Sequence, residues 1–391
     1  MNVKLFQDPV MDAAAWRALG HASFRGAEPG EVLAIREQIK DGDVDSWIKA
    51  WTEFARSLAP KASENVRDWI GARDAYLRAS NYLRTAASCS FKPKPEQAAV
   101  DSFLAQYETF ADFVEHAEYE SVVVEIPFEP VNLRARIFYT DFDSPKGTIL
   151  HTTGYDSSGP EGWFWVAQPA LERGYNVVLY EGPGQGAVLW DQGIPMRPDW
   201  ENVFLPVVNT IRQQPGLDPD RLISWGTSLG GYLAVRGASV VPELRALILD
   251  PGQLGVKEAV EAQMGAKVAA ALMDRDPQVE AQINQLINSP EMKFTLERGM
   301  LVHQLDTPSD YFREMMKYTN APILDKITMP CWIAAAENDH VSATAKPLFE
   351  ALPGPKVFQQ FTAAEGCGEH CELGGRSRFL AEAFSWLDSL D

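Results

Sequence analysis

Positive charge is in short supply: 35 Lys plus Arg stand against 54 Asp plus Glu, a formal charge of −19. No basic stretch interrupts that excess, which argues against nucleic acid and anionic membrane as partners. Cysteine is scarce as well, with 4 in 391 residues. That is too few for a disulfide framework and fits a reducing, cytoplasmic setting. No apolar run approaches the roughly 18 residues that cross a bilayer. Asp8, Asp12 and Arg17 break up the opening segment, which therefore predicts no secretory signal. What the chain does have is 46% hydrophobic residues, enough for a sizeable core. Its length suits two units, or one with insertions.

Residues 1–118 show helical periodicity and no convincing strand. Trp69, Ala72, Tyr76, Ala79, Leu83 and Ala86 recur at spacings of three and four, which places them on one helix face. Trp47 and Trp51 suit another helix, and Ala98–Glu115 a third, with KPKPEQ as the connection before it. From residue 119 short apolar runs take over. Tyr119–Ile126 and Leu133–Tyr139 predict an antiparallel pair joined through Pro127 and Pro130. Gly147–His151, Asn176–Tyr180, Arg221–Trp225, Arg245–Leu249, Cys331–Ala336 and Lys356–Phe361 follow, mostly separated by helical segments. The pattern predicts an α/β fold, a mostly parallel doubly wound sheet spanning 119–391. The stretch between Asp250 and Cys331 is too long for one crossover, so 256–318 is expected to leave the sheet as a helical insertion.

The strongest local motif is Gly226-Thr227-Ser228-Leu229-Gly230, set between a strand and a helix. A G-x-S-x-G turn in that place holds a serine in a strained conformation above the sheet. A serine alcohol needs a base and an orienting acid. Asp339, just past the run CWIAAA, is the expected acid, with Glu337 as the fallback; a helix N-cap is the competing role for Asp339. Of 6 histidines, His370 alone follows the last strand on a loop free to reach Ser228. Two backbone amides should form an oxyanion hole: Leu229, and Tyr155 or its neighbour Gly154 in HTTGYDSSG.

Gly182–Ala187 formally fits a dinucleotide fingerprint, but its proline and the nearby Gly193 and Pro195 argue against one. Cys367, His370 and Cys371 lack a paired C-x-x-C, so no metal is expected. No cofactor is required.

HTTGYDSSGPEGWF, YEGPGQGAVLW, WGTSLGGYLA, AENDHV and EGCGEHCELGG together resemble the α/β-hydrolase superfamily. They are most similar to the branch of dihydroxypseudooxynicotine hydrolase and the fungal polyketide-shortening hydrolases. The resemblance covers nearly the whole chain. It implies an N-terminal helical lid over 1–118 and a triad of Ser228, Asp339 and His370. It also implies cofactor-free cleavage of a carbon–carbon bond next to a ketone, or of an ester.

The expected partner is a small carbonyl compound; the many helical faces would also suit a homodimer. Tyr76, Arg78, Asn81, Tyr82 and Arg84 on the lid, with Glu161 and Trp163 after the oxyanion loop, are the candidates to line a pocket. Packing would explain the same residues. Three activities are open at this stage: a C–C hydrolase, a carboxylesterase or lactonase, and a non-catalytic receptor on a hydrolase scaffold.

Overall fold

The computed structural model describes residues 3–64 and 68–390, with backbone alone over 59–64. Five helices come first: Pro9–Gly20 (α1), Pro29–Arg36 (α2), Val44–Glu64 (α3), Trp69–Ala87 (α4) and Gln97–Glu115 (α5). Helix α1 starts where Asp8 accepts from the amides of Val10 and Met11, with Pro9 opening the first turn. The periodic face of α4 is buried at Ala72, Tyr76, Ala79, Leu83 and Ala86. Trp69 departs from that expectation: in the first turn it is 43% exposed and lies under the guanidinium of Arg73. Trp47, Trp51, Tyr82 and Phe103 form a core among these helices. Tyr76, Phe110 and Phe113 belong instead to a cluster shared with the sheet.

Eight strands follow: Ser121–Phe128 (β1), Val131–Phe138 (β2), Thr148–Thr152 (β3), Asn176–Tyr180 (β4), Leu222–Thr227 (β5), Ala246–Asp250 (β6), Cys331–Ala336 (β7) and Lys356–Phe361 (β8). They lie in one sheet, ordered β1-β2-β4-β3-β5-β6-β7-β8. Strand β2 is antiparallel to both neighbours, and β3 to β8 run parallel. Strands β3 to β7 are buried at every residue, as continuous apolar runs covered on both faces require.

The first hairpin differs from expectation in one detail. Pro127 lies inside β1, paired with Asn132, and the turn is made by Glu129 and Pro130. A proline is tolerated there because β1 is an edge strand, and its missing N–H need not serve a second neighbour.

Between β6 and β7 the chain forms helices Val256–Met264, Ala266–Met273, Pro277–Asn284, Pro290–His303 and Pro308–Met315. Proline opens three of them, fixing φ where an N–H is not needed. No helix among the described residues is long and apolar enough to cross a membrane. The loops after β3, β5, β7 and β8 all leave the carboxyl edge of the parallel strands, where open α/β sheets place their sites.

Candidate active site

Strand β5 ends at Thr227, and helix Gly230–Ala238 begins three residues later. Ser228 makes the turn with φ of 59°, the left-handed region, at a cost of roughly 1–3 kcal/mol for a residue with a side chain. Two hydrogen bonds hold it there. Its N–H donates to the carbonyl of Asp250 at 2.6 Å, and Gln253 Nε2 donates to its own carbonyl at 2.6 Å. A Cβ on Gly230 would stand 2.1 Å from the carbonyl oxygen of Thr152. The glycine is therefore a steric requirement of packing this turn against β3.

His370 Nε2 lies 2.9 Å from Ser228 Oγ, and His370 Nδ1 lies 2.8 Å from Asp339 Oδ2. An ionised carboxylate only accepts, so Nδ1 carries the ring proton and Nε2 faces the hydroxyl as acceptor. Burial disfavours charge on both partners, but their mutual attraction outweighs it. The pKa of His370 is raised and that of Asp339 lowered, with Asp250 and Asp156 adding to the field on the imidazole. Asp339 also caps the turn His340–Thr344, accepting from Val341 N–H and Ser342 Oγ at 2.9 Å each. The cap and the histidine contact are two uses of one carboxylate. Glu337 is exposed and accepts from the amide of Ala363 instead.

The loop bearing His370 is unusual in itself. Cys371 and Glu372 both have positive φ, 52° and 51°. Beneath them Arg376 pairs with buried Asp250 and reaches Glu372 at 3.4 Å. Burial and the neighbouring Asp250 push the pKa of the Glu372 carboxyl well above its ordinary range. The pattern EGCGEHCELGG carried no local sign of that support, because Asp250 is contributed by β6.

The loop after β3 meets the turn at Gly154, where a Cβ would be 2.7 Å from Ser228 Cβ and 3.2 Å from its Oγ. Among the described residues no hydrogen bond occupies the N–H of Gly154, Tyr155 or Leu229. Leu229 immediately precedes helix Gly230–Ala238, whose first amides have no intrahelical acceptor. The GPGQG turn braces this loop. Gln185 Nε2 donates to the carbonyl of Thr153 at 2.7 Å. Glu181, whose pKa is raised by burial, accepts from Tyr107 Oη at 2.6 Å, from Ala187 N–H at 3.0 Å and from the amide of Gly159. Gln185 lies within the motif rejected as a nucleotide fingerprint, and Glu181 immediately precedes it.

Past Gly154 lies a buried network of charge. Asp156 accepts from Arg17 Nη1 and Arg298 Nη1, each at 2.9 Å. Glu161 accepts from Arg17 Nε and Nη2 at 2.7 and 2.6 Å, from His21 Nε2 at 3.1 Å and from Ser157 Oγ at 2.6 Å; Arg84 Nε lies 3.3 Å away. Burial opposes the charge of Glu161, yet Arg17, Arg84 and His21 hold its pKa well below the usual range. Arg17, His21 and Arg298 were missed in the sequence.

Of the pocket-lining candidates, Glu161 and Arg84 meet in this network. The others make packing and capping contacts. Tyr76 packs on the ring of His116. Tyr82 lies between Trp51 and Phe54, its hydroxyl donating to Glu31 at 2.7 Å and accepting from Glu28 N–H at 3.0 Å. Trp163 is enclosed by Phe110, Phe113, Phe138 and Tyr119. Arg78 pairs with Glu31, and Asn81 donates to the carbonyls of Ala18 and Gly26. These five serve the helical packing.

The model of an alpha/beta hydrolase family matches residues 149–383. Hydrolase acrC of Aspergillus aculeatus is 29% identical over 95% of this chain and 94% of its own. The 20-hydroxy-prefusarin hydrolase FUS2 of Gibberella moniliformis is 30% identical, covering 99% of this chain and 97% of its own. The crystal structure of 2,6-dihydroxy-pseudo-oxynicotine hydrolase shares the fold, with a TM-score of 0.75 over 94% of each chain at 17% identity. The chain is an enzyme of the α/β-hydrolase family, within the branch that holds these fungal hydrolases.

Proposed function

We propose that the protein is a serine hydrolase that cleaves the carbon–carbon bond next to a ketone in a β-diketone or acyl-aromatic, polyketide-like compound. One observation carries the reading: a left-handed Ser228 whose hydroxyl, the imidazole of His370 and the carboxylate of Asp339 form a continuous hydrogen-bonded chain. In the reaction His370 Nε2 takes the Ser228 proton as Oγ attacks the ketone. The oxyanion rests on the amides of Leu229 and of Tyr155 or Gly154. Collapse of the adduct breaks the C–C bond and releases an enolate, which the imidazolium protonates at carbon. Water activated by the neutral His370 then frees the acyl group. One relative is named for hydrolysis of 20-hydroxy-prefusarin, which supports a hydrolytic reaction for this chain. No group beyond the chain's own residues enters these steps. The cytoplasm suits the free, buried thiols of Cys331, Cys367 and Cys371.

The test pairs an aryl 1,3-diketone with an aryl ester of matched size, products followed by mass spectrometry and Ser228→Ala as the blank. Faster diketone cleavage supports the C–C reading. Faster ester cleavage makes the protein a carboxylesterase or lactonase working through the same three residues. No turnover of either, together with no labelling of Ser228 by a fluorophosphonate, would point to a ligand receptor.

A further inference from the structure

The charges buried beside the oxyanion loop do not balance. Arg17, Arg84 and Arg298 face only Asp156 and Glu161, because burial draws the pKa of His21 down to about 4 and leaves it neutral. One positive charge is in excess. Three guanidiniums around two carboxylates attract a further anion at whichever of them a ligand can reach.

Hydrogen bonding and accessibility together show which cation can take a ligand. Arg17 spends Nε, Nη1 and Nη2 on the two carboxylates. Arg84 makes one hydrogen bond, Nη2 to Thr85 Oγ1, and its Nε has no hydrogen-bond partner, but at 3% exposed against Glu161 it has no room for one. Arg298 makes a single hydrogen bond among the described residues, Nη1 to Asp156, and its Nε is buried with no partner. Its side chain nonetheless keeps 26% of its surface accessible. The guanidinium lies over the ring of Tyr155, 5.3 Å from the centroid. Tyr155 directly follows Gly154, which touches Ser228. The guanidinium is therefore partly accessible and is packed on the residue that follows the one touching Ser228.

We propose that Arg298 binds an anionic oxygen of the substrate, a carboxylate or the enolate of a 1,3-dicarbonyl, and so selects acidic carbonyl compounds over neutral ones. The assignment rests on the hydrolase reading above, since the anion belongs to the molecule attacked by Ser228. A guanidinium presents paired donors that match two coplanar oxygens, and away from bulk water its charge is weakly screened. An enolised 1,3-dicarbonyl offers that oxygen before reaction. Its enolate product offers it after the C–C bond breaks, so the same contact would favour departure.

Binding to the Ser228→Ala protein, measured by titration calorimetry, tests this without turnover. The probes are 4-acetylbenzoate, an aryl trifluoromethyl 1,3-diketone ionised at the working pH, and neutral 4-acetylbenzamide. Arg298→Gln should weaken either anion at least tenfold relative to the amide, and the anion with the larger change identifies the source. Asp156→Asn, which removes a competing carboxylate, should keep or sharpen the preference. Equal weakening of anionic and neutral probes by Arg298→Gln, or loss of the preference in Asp156→Asn, overturns the proposal. The two readings separate cleanly. A protein still labelled at Ser228 by a fluorophosphonate but indifferent to charge loses only the Arg298 assignment, whereas an unlabelled wild type loses the hydrolase mechanism.

Discussion

Gln185 reaches from the GPGQG turn to the carbonyl of Thr153, with Nε2 2.7 Å from that oxygen, while its Oε1 accepts from the amide of Gly182 at 3.0 Å. One buried amide side chain thus fixes the peptide just ahead of Gly154. Gln185→Leu would strand both backbone groups, at about 1–3 kcal/mol each. Thermal melting should register that loss. Steady-state kinetics should show kcat down at least tenfold with KM less affected, because the amides proposed to hold the oxyanion would shift. An unchanged kcat would detach the GPGQG turn from the chemistry.

Two glycines should respond differently to an added side chain. A methyl at Gly154 would stand 2.7 Å from the Cβ of Ser228 and 3.2 Å from the carbonyl of Thr227, so the loop after β3 has to move away from the turn. Gly154→Ala should therefore leave a folded protein with activity lowered by roughly 10²-fold. At Gly230 the obstacle is the backbone carbonyl of Thr152. Gly230→Val should reduce soluble yield and melting temperature outright. A Gly230→Val variant that melted like wild type would mean the turn is not packed against β3.

The raised pKa of His370 sets the pH profile. Catalysis needs neutral imidazole, so the acid limb of kcat/KM should have its midpoint above about 6.5, the ordinary histidine value. Asp339→Asn removes the attraction that outweighs burial. The limb should then move to lower pH while kcat falls by roughly 10³–10⁴. Stability follows the same sign. The histidine's contribution is complete below about 6.5 and is lost as pH rises through the raised folded value. That of Asp339, whose pKa is lowered, is present above about 3.9 and is lost as pH falls through its folded value. A limb that stayed in place in Asp339→Asn would separate the carboxylate from His370.

Glu161 is wholly buried and receives Arg17, His21 and Ser157, with Arg84 beside it. Glu161→Gln leaves two guanidiniums with one carboxylate fewer, a loss of about 3–5 kcal/mol when a buried pair is broken from one side. Limited proteolysis should then cut first in the N-terminal helices, because Arg17 and His21 of that region would lose their anchor. Uniform cleavage across the chain would argue that α1 is held mainly by its apolar face.

Much of this was legible beforehand, for identifiable reasons. The strands β4, β7 and β8 match the expected runs residue for residue; β4 and β7 do so as buried, continuous apolar segments bounded by breaks. The meeting of Ser228, Asp339 and His370 was legible because each lies in the segment that follows a strand of one sheet. The Arg17–Glu161 and Arg298–Asp156 pairs were not: partners so distant in sequence leave no periodic or local trace. That Tyr76, Tyr82 and Trp163 pack on aromatic neighbours was not legible for the complementary reason. An aromatic stripe at helical spacing looks the same whether it faces a ligand or a neighbouring helix. The edge position of β1, which admits Pro127, likewise depends on sheet order and not on the segment itself.

The central claim is that Ser228 becomes acylated by a carbonyl whose C–C bond breaks. Rapid quenching of the protein with an aryl 1,3-diketone, followed by peptide mass spectrometry, reads this directly. The account predicts the acyl fragment's mass on the peptide holding Ser228, its decay matching product formation, and no adduct or turnover in Ser228→Ala. Continued diketone cleavage by Ser228→Ala would contradict it.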